Sequence, residues 1–187
     1  VQKAIDESGR KTDGIDGTLD FVKNKSFKYV HSKTNIGLCS SINKIAKISN
    51  YKYLLYSHDD MFFCPGWDKA LIDEIEKIGH NNFYLSGTMI ESNSGHIKFD
   101  AGKDINSFNE QKLLDNIDNL NFFDHQGSHF APHLVHKDLW NKVGGFSEEF
   151  NPGMGSDPDS NMKLWNENVR IFKTISKNIY SFSWKFL

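Results

Sequence analysis

The chain has 187 residues, of which 38% are hydrophobic and 25% charged, and its formal net charge is -2. That length suits a single domain with a sizeable core, and fifteen Phe alongside this charge content exclude disorder over most of it. A charge so near zero gives no general attraction to nucleic acid, and the lack of a run of roughly eighteen apolar residues argues against a membrane-spanning helix; peripheral membrane contact stays open. No signal-peptide pattern is visible, and Cys39 and Cys64 have neither a C-x-x-C spacing nor a crowded framework. Free thiols in a reducing, cytoplasmic setting are therefore expected.

Residues 1–26 are polar and broken by Gly9, Gly14 and Gly17, which predicts a short helix and a loop. FKYVH, 27–31, reads as a strand. After a turn at Asn35 and Gly37, Ile42, Ile45, Ala46 and Ser49 share one face of an amphipathic helix over 38–49, and Tyr53, Leu54, Leu55 and Tyr56 predict a buried strand over 53–57. Strand, helix and strand in this order predict a right-handed crossover between parallel strands. Pro65 and Gly66 introduce a helix over 68–79 that carries Leu71, Ile72, Ile75 and Ile78 and stops at Gly79. FYLSGTMI, 83–90, predicts another strand, and the polar stretch 91–124 a short hairpin followed by a helix near 110–118. HFAPHLVH, 129–136, reads as a strand and DLWNKVGGF as a helix capped by Asp138 and closed at Gly144 and Gly145. A helix over 158–168 and a strand over 170–175 complete the chain. This alternation defines an α/β fold in one domain, 1–187, with a mostly parallel central sheet flanked by helices.

Chemistry concentrates first at YKYLLYSHDDMFFCPGW, 51–67, where an apolar strand ends abruptly in His58, Asp59 and Asp60. Open α/β sheets bind ligands beyond the carboxyl ends of their strands. Adjacent carboxylates repel unless a cation or hydrogen-bond donors compensate, and Mg2+ bound to a phosphate commonly takes one or two of them. An Asp-rich turn leading to Pro65 and Gly66 accounts for the same residues, so turn and metal site both stand at this point.

A second concentration is GGFSEEFNPGMGSDPDSNMKLW, 144–165. Asp157 followed by Pro158 predicts an N-cap and first helical residue, and a carboxylate there is also held ionised and placed to accept a proton. Gly153 and Gly155 would let the loop approach a ligand; Asp159 is explained by the helix dipole. His125, His129, His133 and His136 crowd together, but Pro132 argues against the helical spacing a zinc site would use; packing or solvent exposure is preferred, with a lone ligand role for one of them as the other reading. Trp67, Trp140 and Trp165 are expected to pack in the core or at its edge, with sugar stacking as the other reading of an exposed one.

SHDDMFFCPGW, then GGFSEEF, then GSDPDSNMKLW, with NIGLCSSIN at 35–43, resembles the family 2 nucleotide-sugar glycosyltransferases of the GT-A fold over roughly 27–175. The resemblance implies a Rossmann-type sandwich and a DxD-type motif that holds a divalent cation, Mn2+ or Mg2+, on the donor diphosphate. By position Asp60 matches the metal-binding acid, and Asp59 the neighbouring acid on the ribose or diphosphate. His58, which stands where relatives often have an acid, Asn35, Gly37 and Gly155 are further donor-binding positions. Asp157 matches the general base of an inverting transfer to a carbohydrate or lipid-linked acceptor in polysaccharide or glycoconjugate synthesis. Ser156 replaces the Glu of the usual acidic pair, and Ser181 stands where many relatives have a His. No apolar first strand is found in 1–26, so the resemblance implies a domain incomplete at its N-terminus. A catalytically silent binding remnant of the same scaffold is the alternative; metal-dependent phosphotransfer without a P-loop ranks last.

Overall fold

The computed structural model describes residues 18–25, 27–58, 60–120, 122, 125–126 and 131–181. In chain order its elements are α1 (Thr18–Asn24), α2 (Leu38–Ile48), β1 (Tyr53–Tyr56), β2 (Met61–Phe63), α3 (Trp67–Ile78), β3 (Tyr84–Glu91), β4 (Ile97–Lys98), α4 (Glu110–Asn116), β5 (His125–Gln126), β6 (His133–His136), α5 (Lys137–Lys142), α6 (Ser156–Asn166) and β7 (Phe172–Ser181). They group into two compact units, one ending at Leu54 and resuming over His136–Asn168, the other formed by Leu55–Val135 and the chain from Val169.

The first unit is helical. α2 forms where the apolar spacing predicts it and buries Cys39, Ser40, Ser41 and Ala46. No side chain of its own caps its start. Its first free N–H groups instead reach a distant loop, Leu38 N to the Pro152 carbonyl at 3.0 Å and Cys39 N to Asn151 Oδ1 at 3.1 Å. The predicted strand over 27–31 is absent; Phe27 N–H closes on the Val22 carbonyl at 3.2 Å, behind α1, and no ladder partner is present among the described residues. The strand–helix–strand crossover expected there is therefore not formed among them. α5 is capped not by Asp138 but by His136, whose Nδ1 accepts the Asp138 N–H at 3.1 Å. Trp140 packs edge-on against buried Phe146, with ring centroids 5.1 Å apart.

The strands are ordered β1-β6-β3-β7-β2, with β4 beside β3 and β5 beside β7, and β2, β3, β4, β5 and β7 lie wholly in the second unit. β3 runs through the centre of the sheet with Leu85, Ser86, Thr88 and Ile90 buried, the pattern of a strand covered on both faces. It pairs parallel with β7 and β4 and antiparallel with β6, while β7 pairs antiparallel with β2 and β5. The α/β class with a central sheet is thus present, and its pairing is more mixed than the apolar runs predict. The β3–β7 register shifts between Gly87 and Met89, and there the Thr88 hydroxyl donates to the Ile175 carbonyl at 2.6 Å. α3 packs on β7, and Lys173 on that strand pairs with Glu74 on the helix at 2.6 Å.

Where a hairpin was expected after β3, the chain loops back through Gly95 and β4 lies parallel, Ile90 opposite Ile97 and Glu91 opposite Lys98. The stretch that follows, polar in sequence, builds its own small core: Cys64, Ile90, Ala101 and Leu113, wrapped by Phe62, Phe99, Phe108 and Phe122. These scattered Phe residues, without helical or strand period, are the only sequence signal for that satellite cluster. Trp67 packs on Phe63 with centroids 4.6 Å apart, as expected of an edge residue, whereas Trp165 is 48% exposed and does not fill the core. Cys39 and Cys64 are both buried thiols.

Of the crowded histidines, His129 lies outside the described residues. His133 is buried on β6, where the Tyr84 hydroxyl meets its Nδ1. Burial, then the nearby His58 charge, pushes its pKa down from 6.5 to about 3. The unfolded chain therefore binds a proton that the folded one refuses between those two values, so His133 contributes stability that is complete above pH 6.5 and lost as pH falls toward 3. Unfolding midpoints should fall with acidification through that window, and His133→Gln should flatten the profile. A slope unchanged in the variant would remove His133 as its source.

Candidate functional site

Asp60, beyond the end of β1, sits in a turn directly before β2, a strand too short to read from MFF alone. Tyr56, buried at the end of β1, has its hydroxyl 2.8 Å from His58 Nε2. The other ring nitrogen, Nδ1, faces Asp60 Oδ1 at 3.9 Å, with the His58 side chain 44% and the Asp60 side chain 21% exposed. Asp60 Oδ1 is buried. Asp59 lies outside the described residues. A carboxylate oxygen and an imidazole nitrogen that face one another fit part of a divalent cation's shell, the rest of which phosphate and water ordinarily supply. Among the described residues no group of three His, Cys, Asp or Glu side chains comes together to hold a metal.

Asn35 and Gly37 belong to the first unit and have a structural role of their own. Asn35 Oδ1 accepts the Gly37 N–H at 2.8 Å, and Gly37, at φ 82°, turns the chain into α2. Beyond it runs a hydrogen-bonded clamp between NIGLCSSIN and FSEEFNPG. Asn151 Nδ2 donates to Ser40 Oγ at 2.8 Å and Ser40 Oγ to Glu148 Oε2 at 2.8 Å. Asn43 donates to the Phe146 carbonyl and accepts from the Phe146 N–H, both at 2.9 Å. Hydrogen bonds from Ser40 and then Asn43 hold the Glu148 carboxyl below its usual pKa. Ser40, Asn43, Glu148 and Asn151 are residues that sequence reasoning passed over; only their clustering in two motifs could have drawn attention to them.

α6 begins two residues earlier than Asp157–Pro158 predicts. Gly155, at φ 88°, takes the cap position, so Asp157 is the second helical residue and Pro158 the third. A left-handed glycine can start the helix there, and Pro158 is tolerated because the first four helical N–H groups have no partner within the helix. Ser156, in place of the usual Glu, is buried and donates to the Gly153 carbonyl at 2.7 Å. Asp159 accepts from Ser147 Oγ at 2.7 Å, a contact beyond the dipole role expected for it. Asp157 is partly buried, with Oδ1 inside. Burial raises the Cys39 thiol pKa; a Ser156 hydrogen bond opposes this, and the Glu148 and Asp157 charges reinforce it, which places Asp157 near the start of α2.

The expected site residues thus fall into two sets, Asn35, Gly37, Gly155 and Asp157 in the first unit, His58 and Asp60 in the second. A shallow concavity of about 370 Å³, lined by residues from Asp100 to Lys112, contains none of them.

The mixed α/β fold, a central sheet flanked by helices, is that of solved GT-A glycosyltransferase structures. Among solved structures, GalNAc-T7 with UDP, GalNAc and Mn2+ superposes with a TM-score of 0.65 at 12% identity, over 95% of this chain and 36% of that one. S. aureus TarS 1–349 in complex with UDP-GlcNAc gives 0.62 at 16% identity, over 94% of this chain and 48% of that one. The chain therefore spans less than half the length of either. A comparison with curated proteins found no match. Residues 11–138 match the model of glycosyl transferase family 2, and the chain belongs to that family. The matched segment includes Asn35, Gly37 and His58–Asp60 and ends before Asp157.

Proposed function

We propose that the chain is the catalytic portion of an inverting, metal-dependent glycosyltransferase that moves a sugar from a nucleotide diphosphate to an acceptor hydroxyl. The observation that carries this reading is the Asp60 carboxylate at the end of β1, facing the His58 imidazole, in a chain of glycosyl transferase family 2. Asp60, with His58 beside it, would hold a Mn2+ or Mg2+ ion, which when bound neutralises charge on the departing diphosphate. His58, Asp59, Asn35, Gly37 and Gly155 are the donor-binding positions. Asp157 takes the proton from the acceptor hydroxyl as that oxygen attacks the anomeric carbon, and a single displacement of this kind inverts the centre. A carbohydrate or lipid-linked acceptor in polysaccharide or glycoconjugate synthesis fits this chemistry. The two buried thiols fit a cytoplasmic setting, with membrane contact, if any, peripheral; no helix of the described residues is long and apolar enough to cross a membrane.

Incubation with UDP-sugars and Mn2+ tests the reading. UDP release is expected, lost in EDTA and regained when Mn2+ exceeds the chelator. Release that is indifferent to EDTA would remove the metal from the reaction, and UDP binding without any release would leave the silent-scaffold alternative.

A further inference from the structure

Tyr56 enters the sequence as one more aromatic of a buried strand, yet its hydroxyl is committed to His58. The His58 side chain is nearly half exposed, and an exposed imidazole on a loop samples several rotamers. Here one of its nitrogens is held, Nε2 by the Tyr56 hydroxyl at 2.8 Å, and the rings meet edge-on with centroids 5.3 Å apart. Tyr56 is itself fixed, 8% exposed and packed on the buried His133 ring at 4.9 Å. His133 in turn meets the Tyr84 hydroxyl. A rigid run thus leads from the centre of the sheet to His58, and it leaves Nδ1 as the nitrogen that faces Asp60. The 3.9 Å from Nδ1 to Asp60 Oδ1 is too long for a hydrogen bond. It is within the reach of two metal–ligand bonds laid end to end, about 4 Å.

We propose that Tyr56 is a positioning residue, which holds His58 so that its Nδ1 joins Asp60 as a mixed nitrogen and oxygen pair for the donor's cation and so favours Mn2+ over Mg2+. This rests on the reading of Asp60 as the metal-binding acid. Mg2+ demands near-ideal octahedral geometry and dehydrates reluctantly, whereas Mn2+, which shares its taste for oxygen but opens the transition series, accepts an imidazole among the oxygens more readily. A hydrogen-bonded partner on the far nitrogen is how proteins orient a ligating histidine, and its loss commonly costs about 10- to 100-fold in metal affinity.

Mn2+ affinity of the full chain, read from the electron paramagnetic resonance of the free ion in the presence of UDP and without turnover, provides the test, with Mg2+ as competitor. The unmutated chain should bind Mn2+ more tightly than Mg2+. Tyr56→Phe, which keeps the ring and removes the hydroxyl, should lower Mn2+ affinity about tenfold while moving Mg2+ affinity less. His58→Asp should narrow the preference, and Asp60→Ala should abolish binding of both ions. Tyr56→Phe with an unchanged unfolding midpoint and unchanged Mn2+ affinity would overturn the proposal, as would a Mn2+ to Mg2+ ratio untouched by His58→Asp or no Mn2+ binding at all. A measurement on the unmutated chain stands beside the variants: Mn2+ should broaden the His58 Nδ1 resonance before Nε2, and equal sparing of both sinks the idea. Failure of the transferase reading looks different, as Tyr56-sensitive Mn2+ binding in a chain that never releases UDP from a UDP-sugar.

Discussion

Asp157→Asn should lower sugar transfer by about 100- to 10,000-fold, the range removed with a general base, while UDP binding and the fold persist. The substitution keeps the shape of the side chain and deletes only its proton-accepting charge. Because Gly155 and not Asp157 caps α6, no side-chain cap is lost. What the helix gives up is a first-turn carboxylate near its positive end, about 0.3–1 kcal/mol. Rate and stability are therefore separable, and the measurement pairs transfer kinetics with urea unfolding of the same variant. Near-normal transfer by Asp157→Asn would mean that the acceptor proton goes elsewhere. A loss matched by collapse of the fold would return Asp157 to a purely structural role.

Gly37→Ala should lower the unfolding free energy by about 2–4 kcal/mol, from overpacking together with a backbone conformation that Ala adopts only with strain. Gly37 lies at φ 82°, and a Cβ there would stand 2.3 Å from Asn151 Oδ1 and 2.5 Å from its Cγ. Asn151 has little freedom to yield, since its side chain accepts the Cys39 N–H and donates to Ser40 Oγ. Displacing it uncaps α2 and loosens Ser40 from Glu148 together. Asn151→Ala should remove the two closest contacts, leaving its Cβ at 2.8 Å, but also the cap, so the two substitutions combined should be less damaging than their sum. Urea unfolding of the single and double variants checks this, and a loss under about 0.5 kcal/mol for Gly37→Ala would show that the loop moves aside freely.

These two residues mark how far local sequence reaches. Periodicity placed α2 and α3, and near-continuous apolar runs placed β1 and β3, because each writes its burial pattern directly into neighbouring residues. The strand-end acids and the family itself were legible for the same reason: residue type and spacing carry them. The expected strand over 27–31 did not form, since a strand is defined by a partner rather than by its own composition. β2 and the parallel placement of β4 were invisible because two or three residues are ordered only by the strand beside them. The cap of α6 moved to Gly155 because a left-handed glycine could start the helix before Asp157.

By itself, then, the sequence determined the α/β class, the family and the identity of the acids, all of them properties of residue order. The tertiary structure decided what those residues touch. It joined NIGLCSSIN to FSEEFNPG through Asn151 and Glu148, more than a hundred residues from their partners. It also turned His58 by way of Tyr56, so that Nδ1 faces Asp60. Hydrogen bonds of this kind depend on distance in space and on the direction of a lone pair, and neither is written in the spacing of residues along the chain.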